Sequence, residues 1–297
     1  MYMRAHLFII ALTGLIACGK PVSKEQKNLD AALEAYKANP SDSTSVAYAS
    51  AYNAFTDLHG FSDPVVSRYM LEGARLSEAR QKLNPALAWY ESYFTRYQDS
   101  PDFPDHLVEA ASLIEAFGKP ELSQVFYKSF IDRFPTHKGA ASIKAKITDP
   151  SLSVDSSLQL VLNSIPKGAN NELDPERIQL YIEMVEVSIF TNPNLPLGAE
   201  HLLKAAEIGR IVKLYPRSIK LYDWVIRFYP TSKYATSAIF LKGYITYFDL
   251  KNYEKANTLI KEYLAKDPYG QFELQANFML DNPGKSEEDL KKAMGGE

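Results

Sequence analysis

The sequence predicts an all-α protein built from antiparallel helix pairs, and three regularities carry this prediction. Four stretches place bulky residues at helical spacing, they recur at nearly constant intervals, and each follows a segment that contains small residues. No segment is typical of a β-sheet, and the ambiguous stretch Ser153–Leu162 is assigned to a helix from its context. With 46% apolar and 23% charged residues, the chain can bury a sizeable core.

The four repeated stretches are Trp89–Gln98, Phe126–Pro135, Leu221–Pro230 and Leu259–Pro268. Each begins with two bulky residues and has another four positions later, which creates one apolar helical face. A closing proline in or beside the stretch ends the helix, because it disfavours helical geometry at the residue before it. The ends at 98 and 135 are 37 residues apart, and those at 230 and 268 are 38 apart. The interval of 95 positions from 135 to 230 leaves room for degenerate units.

A second predicted helix precedes each stretch and carries small residues about 24 positions before the closing residue, at Gly73-Ala74, Ala110-Ala111, Ala205-Ala206 and Gly243. Small side chains allow two antiparallel helices to approach closely. The turns between the helices are marked by Asn84-Pro85, Lys119-Pro120, Tyr215-Pro216 and Asn252-Tyr253. Proline suits the first helical position, where a backbone N–H has no helical partner. Each unit therefore reads as helix, turn, helix and closing proline.

Start and stop signals predict helices elsewhere in the chain. The predicted segments are Lys24–Ala38, Ser43–Leu58 continuing to His59-Gly60, a helix from Pro175 to about Phe190 capped by Asp174, and a last short helix opened by the capping box Ser286–Asp289. Lys167–Asn171 is the best internal loop and the expected seam between the two halves.

The segment Pro230–Pro268 resembles a tetratricopeptide repeat (TPR). It keeps the small residue Gly243, the turn tyrosine Tyr253, the following Ala256 and the closing proline, but it lacks the early tryptophan and exceeds the usual 34 residues. The resemblance is clearest over 200–268, weaker over 64–135 and nearly lost over 136–196. It implies a right-handed solenoid in which the first helices of the pairs line the concave side.

Longer TPR units with junctions such as Tyr229–Ala235 ("YPTSKYA") are similar to those of Gram-negative envelope lipoproteins. Two examples are the TPR lipoprotein of the outer-membrane β-barrel assembly machine and the TPR protein associated with the Tol–Pal system. The resemblance implies a scaffold or adaptor that binds another envelope protein in outer-membrane protein assembly or envelope maintenance.

The first seventeen residues are predicted to be a signal peptide. Leu7–Ala17 is an uncharged run of eleven residues, whereas crossing a bilayer core takes about 20 residues. Leu15–Cys18 resembles the lipobox of bacterial lipoproteins, which implies that the Cys18 thiol carries a diacylglyceryl group and that residues 18–23 form a lipidated tether. Several acyl chains suffice for a lasting membrane anchor.

Two other interpretations of Cys18 are a catalytic thiol and a chance cysteine in an ordinary signal peptide. A catalytic thiol needs a nearby base, and no histidine lies between His6 and His59. The spacing of Gly14, Gly19 and Lys20 matches a phosphate loop, but Pro21 stands where Ser or Thr is required. The mature chain has no other cysteine, which excludes disulfides and thiolate metal sites. Gly19 and Lys20, which follow Cys18, do not include the aspartate that resembles an inner-membrane retention signal, and no acidic run that resembles a surface-export signal follows. The lipoprotein resemblance therefore implies the periplasmic face of the outer membrane.

The predicted organisation is a signal peptide (1–17), a tether (18–23), N-terminal degenerate repeats (24–150), a degenerate helical linker region (151–196) and C-terminal TPR repeats with end-capping helices (197–297). We expect no enzymatic activity, cofactor or metal. The four histidines after the signal, His59, His106, His137 and His201, are scattered, and the acids Glu287–Asp289 suit a helix start.

The expected protein-binding residues lie on the first helices of the best repeats, at Glu207, Arg210, Phe240, Tyr244 and Tyr247. Tyrosine and arginine are favoured anchors at interfaces, although these rings are equally suited to packing against the next repeat. Residues 201–266 hold 12 Lys or Arg and 5 Asp or Glu, so this block carries +7 within a chain of net charge −3. A basic block is suited to binding an acidic protein segment or anionic lipid, and it is also compatible with a solvated surface that binds neither. A lipidated chain with a pI near 6.0 argues against nucleic acid.

The alternative function is a carbohydrate-binding lipoprotein that partners a nutrient-import transporter. Such proteins resemble TPR proteins but carry long loops with aromatic platforms. Here the loops are short, and the two tryptophans, Trp89 and Trp224, both lie in predicted helices, which disfavours a glycan ligand. A helical-repeat hydrolase would need clustered acids or histidines.

Overall fold

The computed structural model describes residues 22–62, 64–165 and 173–295. In these ranges the chain forms fifteen α-helices and no β-strand, which confirms the all-α prediction. No helix in the described ranges is long and apolar enough to cross a membrane. Cys18 and Lys167–Asn171 lie outside the described residues, so the predicted lipid site and seam stay predictions.

The first eight helices are α1 (Lys24–Ala38), α2 (Asp42–His59), α3 (Pro64–Ala79), α4 (Leu83–Phe94), α5 (Phe103–Ala116), α6 (Pro120–Arg133), α7 (Ala140–Lys144) and α8 (Val154–Asn163). The remaining helices are α9 (Pro175–Thr191), α10 (Gly198–Ile211), α11 (Tyr215–Phe228), α12 (Lys233–Phe248), α13 (Tyr253–Lys266), α14 (Glu273–Asp281) and α15 (Glu287–Ala293). The ambiguous segment is therefore helical, as α8.

The chain divides into two compact units, Met1–Tyr69 and Met70–Glu297. In the first, α1 and α2 pack as a pair around the buried rings of Tyr36, Tyr48 and Phe55. The Tyr48 hydroxyl donates a hydrogen bond to the backbone oxygen of Tyr69 at 2.6 Å, and the Tyr69 hydroxyl donates to Asp30 Oδ1 at 2.5 Å. These bonds fix the beginning of α3 onto the pair.

The second unit is a series of packed helix pairs. The pairs are α5 with α6, α10 with α11, and α12 with α13, each joined by a short turn. Helix α9 packs on both α6 and α10, and α11 packs on α12, so each pair lies against the next element of the series. This arrangement confirms the predicted stacking of helix pairs.

Small residues lie where paired helices meet. A Cβ added at Gly73 would lie 2.6 Å from Cε2 of Trp89, and one at Gly243 would lie 2.9 Å from Cδ1 of Ile260. Ala110 and Ala205 are fully buried. The predicted close approach of the helices is therefore present in the structure.

The predicted helix limits also agree with the structure. α6 begins at Pro120, α11 has its proline at the second position, and the Asn252 side chain caps α13 by accepting from the backbone N–H of Lys255 at 3.1 Å. α6, α11 and α13 end two residues before the closing prolines at 135, 230 and 268. The Asp174 carboxylate caps α9, as its sequence predicts.

A left-handed residue recurs between paired helices, at Gln81, Gly118, Lys213 and Lys251, with φ of 55°, 72°, 63° and 54°. Positions 81 and 118 are 37 apart and positions 213 and 251 are 38 apart, so the backbone repeats with the period of the closing residues. This conformation is unfavourable for residues with a Cβ and normally favours glycine. Only one of the four is glycine, which explains why the sequence pattern does not reveal it.

Candidate binding groove

An open groove of about 620 Å³ lies between α10, α12, α14 and α15 of the second unit. Glu207, Arg210, Phe240 and Tyr244 line it, so α10 and α12 bring four of the five predicted binding residues together. They converge because α10 and α12, the first helices of consecutive pairs, contact each other directly. This groove is the candidate functional site.

Tyr247 is the predicted residue that does not line the groove. Its side chain is fully buried, and its hydroxyl donates a hydrogen bond to the backbone oxygen of Asn282. Tyr247 lies about two turns beyond Phe240 on the same face of α12, where the connection between α14 and α15 covers that face. Sequence spacing places Tyr247 on the same face as Phe240 but could not show which part of that face the C-terminal segment covers.

Arg210 is held in a fixed orientation. Its Nε donates to Asp249 Oδ2 at 2.7 Å and its Nη2 donates to Glu287 Oε2 at 2.8 Å, while the guanidinium carbon lies 4.8 Å from the centre of the Tyr244 ring. Asp249 ends α12 and Glu287 begins α15, so the arginine joins three helices. Burial acts to raise the pKa of the Glu287 carboxyl, but the hydrogen bond and charge of Arg210 outweigh it and lower that pKa.

Aromatic rings form the apolar lining of the groove. Phe240 and Phe272 stack with centroids 4.3 Å apart and planes 8° from parallel. The half-buried ring of Tyr244 packs against Phe240, and burial, aided by the charge of Glu287, raises the pKa of its phenol. Tyr222 lies among them and is buried. Large rigid rings of this kind supply most of the contact energy in protein interfaces.

Apolar side chains at the rim of the groove are exposed to water. Ile211 is 64% exposed at the end of α10, and Met294 is 43% exposed just after α15. Glu207 is the acid on this surface, and burial raises the pKa of its carboxyl, although Lys204 acts in the opposite direction. Adjoining apolar side chains left in water at the edge of an apolar groove are typical of a docking surface.

A second cleft contains a network of ion pairs that joins α4, α9 and α11. Lys220 Nζ lies 3.0 Å from Glu91 Oε2 and 2.9 Å from Glu186 Oε1, and Arg217 Nε donates to Glu186 Oε1 at 2.9 Å. Burial raises the pKa of Glu91, whereas the two cations lower that of Glu186 despite its burial. Because these groups satisfy one another, the cleft is better suited to joining helices than to binding a ligand.

Each of the four histidines has its own contacts. His59 packs on Phe55, His106 lies 2.9 Å from Glu109, and His137 accepts from the backbone N–H of Gly139. His201 is buried beside the Tyr181 hydroxyl, at 3.1 Å, and burial lowers the pKa of its ring. The described residues contain no group of three potential metal ligands.

The two tryptophans serve as packing residues. Trp89 lies against Gly73 between α3 and α4. Trp224 is 6% exposed, with Phe190 edge-on at 6.5 Å and Lys220 Nζ 4.9 Å from its ring centre. Neither ring lines the groove.

Comparison with known proteins finds similarity among solved structures. No family model and no curated protein sequence matches the chain. Among solved structures, a tetratricopeptide repeat protein from Parabacteroides merdae ATCC 43184 is similar, with 14% sequence identity, 91% of this chain and 98% of that chain covered, and a TM-score of 0.30. The helix pairs and their periodic turns, rather than this match, carry the fold assignment.

Proposed function

We propose that this chain is a non-enzymatic, lipid-anchored, tetratricopeptide-like scaffold that binds another protein of the bacterial envelope in the groove between α10, α12, α14 and α15. The observation that carries the proposal is the convergence there of four residues chosen from the sequence, beside aliphatic side chains left exposed at the rim.

Protein is the best-supported class of ligand for this groove. Its walls are helices presenting aromatic and aliphatic side chains, the pattern used when a groove takes an apolar helix face or an extended segment. The tryptophans that would serve a glycan are packed within the helical array instead. The histidines have separate structural contacts, which favours binding over catalysis.

The membrane anchor is the second part of the proposal and rests on the sequence Leu15–Cys18. The acylated chain would stand at the periplasmic face of the outer membrane and act in outer-membrane protein assembly or envelope maintenance. With an alkyne-tagged fatty acid, we expect the wild type to take up label and to pellet with outer membranes. The Cys18→Ser variant should take up none, and equal labelling of both proteins would refute the anchor.

The test of the groove substitutes a residue at its exposed rim rather than Arg210. Replacing Arg210 would break two ion pairs and leave Asp249 and Glu287 without their partner, so a loss of binding would be ambiguous. Ile211 is exposed and forms part of the rim, so Ile211→Asp adds a charge to the groove at little cost in stability. Leu274→Asp is the matched control, since Leu274 is 68% exposed but does not line the groove.

Both variants and the wild type are used to capture proteins from detergent-solubilised envelopes of the native host. We expect the wild type and Leu274→Asp to recover the same defined envelope protein, and Ile211→Asp to lose it. Recovery by all three proteins would place the binding surface elsewhere. If none of them recovers a protein, a glycan ligand becomes the better explanation.

A further inference from the structure

Helix α15 forms one side of the groove through contacts that a separate helical segment can make in its place. Four side chains of the C-terminal segment line the groove or contact its residues: Glu287, Leu290, Lys291 and Met294. Their spacing of i, i+3, i+4 and i+7 is that of an amphipathic helix docked in a groove. The segment therefore shows which chemistry this surface accepts.

Contacts of Leu290 and Glu287 hold the helix in place. The Leu290 side chain is 3% exposed and packs in the cluster that includes Phe240 and Met279, and the Glu287 carboxylate pairs with Arg210, 77 positions earlier in the chain. The outward side of α15 is in water, since the Glu288 and Lys292 side chains are 75% and 67% exposed. One carboxylate of α15 thus pairs with one arginine of the basic block.

This helix is shorter than α12 and α13 and buries fewer side chains. It has seven residues and buries one large apolar side chain, and the connection before it passes through Gly284 in a left-handed conformation. Helices of this length have little stability of their own, and segments with few buried contacts open at low free-energy cost. We expect α15 to detach while α12 and α13 remain folded.

The site would stay organised after α15 leaves. Arg210 Nε remains bound to Asp249, and the guanidinium remains over the Tyr244 ring, so Nη2 still points to where a carboxylate was. The stacked pair Phe240 and Phe272 remains as the apolar surface. A site that keeps its shape binds with a smaller entropic cost.

We propose that the groove recognises a helical protein segment that presents a carboxylate and, three residues later, a leucine, and that α15 occupies this place until such a segment displaces it. The inference rests on the proposed function, because it names the partner chemistry of the same groove. Displacement makes binding competitive with the chain's own helix, whose effective concentration is on the order of millimolar.

The test uses the full chain and a fluorescent synthetic peptide with the sequence of residues 283–295. The double variant Glu287→Gln/Leu290→Ala loosens the internal helix and leaves every residue of α10, α12 and α14 unchanged. By fluorescence anisotropy, we expect the double variant to bind the peptide at least tenfold more tightly than the wild type. Equal affinity for both chains, or no binding to the double variant, would overturn the inference.

Peptide variants show which groups are recognised without changing the fold of the protein. Peptides with Gln in place of Glu287, or Ala in place of Leu290, should each bind the double variant at least tenfold more weakly, whereas a peptide with Gln in place of the outward Glu288 should bind equally well. Loss of binding in all three, or in none, would contradict recognition of this pattern. Circular dichroism confirms that the double variant is folded.

Hydrogen exchange on the wild type gives an independent result. Amides of α15 should exchange at least a hundredfold faster than those of α13, and equal protection would mean that the helix is a permanent cap. If the peptide fails to bind but Ile211→Asp still loses its captured partner, the displacement inference fails and the proposed function stands. If the peptide binds but nothing is captured, the proposed function fails instead.

Discussion

At the scale of single residues, the recurrent left-handed turn position has a measurable cost. Gln81 and Gly118 occupy equivalent places in the turns before α4 and α6, 37 residues apart, with φ of 55° and 72°. A residue with a Cβ in this conformation is disfavoured by roughly 1–2 kcal/mol, and glycine avoids the clash. Gln81 therefore adopts this backbone geometry at a cost in free energy, whereas Gly118 adopts it without that cost.

The two positions predict opposite effects of opposite substitutions. Gln81→Gly should raise the free energy of unfolding by roughly 0.5–1 kcal/mol, since the relief of strain exceeds the added entropy of the unfolded chain. Gly118→Ala should lower the free energy of unfolding by about 1 kcal/mol, because a residue with a Cβ is strained at a φ of 72°. A Cβ there would meet no atom within 4 Å, so steric contacts add nothing to this strain. Urea unfolding measures both changes, and a destabilised Gln81→Gly protein would show that tertiary contacts of Gln81 outweigh its strain.

The ionisation of the Glu109 carboxyl makes the free energy of unfolding depend on pH. Burial acts to raise the pKa of its carboxyl, but hydrogen bonds with His106 and Arg75 lower that pKa from 4.5 to about 2. A carboxyl with a lowered pKa in the folded state stabilises fully above pH 4.5, and this contribution is lost as the pH falls toward 2.

Glu109→Gln tests this linkage. The variant should be less stable than the wild type by about 1 kcal/mol at pH 7, a modest figure because the ion pair is partly exposed to solvent. The difference should shrink as the pH is lowered from 5 to 3 in urea titrations. A difference that stays constant over this range would show that the carboxylate charge contributes nothing.

At the scale of helices, local sequence signals determine most limits. Lys24–Ala38 is predicted and observed as the same helix, and the cap at Asp174 and the capping box at Ser286 both form as expected. These signals act within one or two turns, so a single sequence reveals them. The contacts that join α4, α9 and α11 have no such local signal, because Lys220 of α11 and Glu91 of α4 are 129 positions apart.

The ionic cluster between α4, α9 and α11 predicts unequal effects of its members. Lys220→Met should lower the free energy of unfolding by roughly 2–3 kcal/mol, because it leaves the largely buried Glu91 and Glu186 with less compensation. Glu91→Gln should cost less, since Lys220 keeps Glu186 at 2.9 Å. Thermal unfolding compares the two, and equal losses would mean that Lys220 acts through Glu91 alone.

At the scale of the whole molecule, sequence and structure contribute different parts of the account. Repeat periodicity predicted the helix pairs and four residues of the groove, because residues on one helical face and equivalent helices of successive pairs share a direction. The place of α15 was not predictable, since its ion pair with Arg210 and the burial of Leu290 depend on how the end of the chain folds back. The C-terminal segment therefore supplies one wall of the groove.

The central claim is that this groove is where a partner protein docks, and photocrosslinking in cells of the native host tests it most directly. A photoreactive phenylalanine analogue replaces Ile211 at the groove rim or Leu274, which is equally exposed but outside it. We predict one discrete crosslinked protein for the probe at 211 and none for the probe at 274. A crosslink at 274 alone, or none at either position, would contradict the claim.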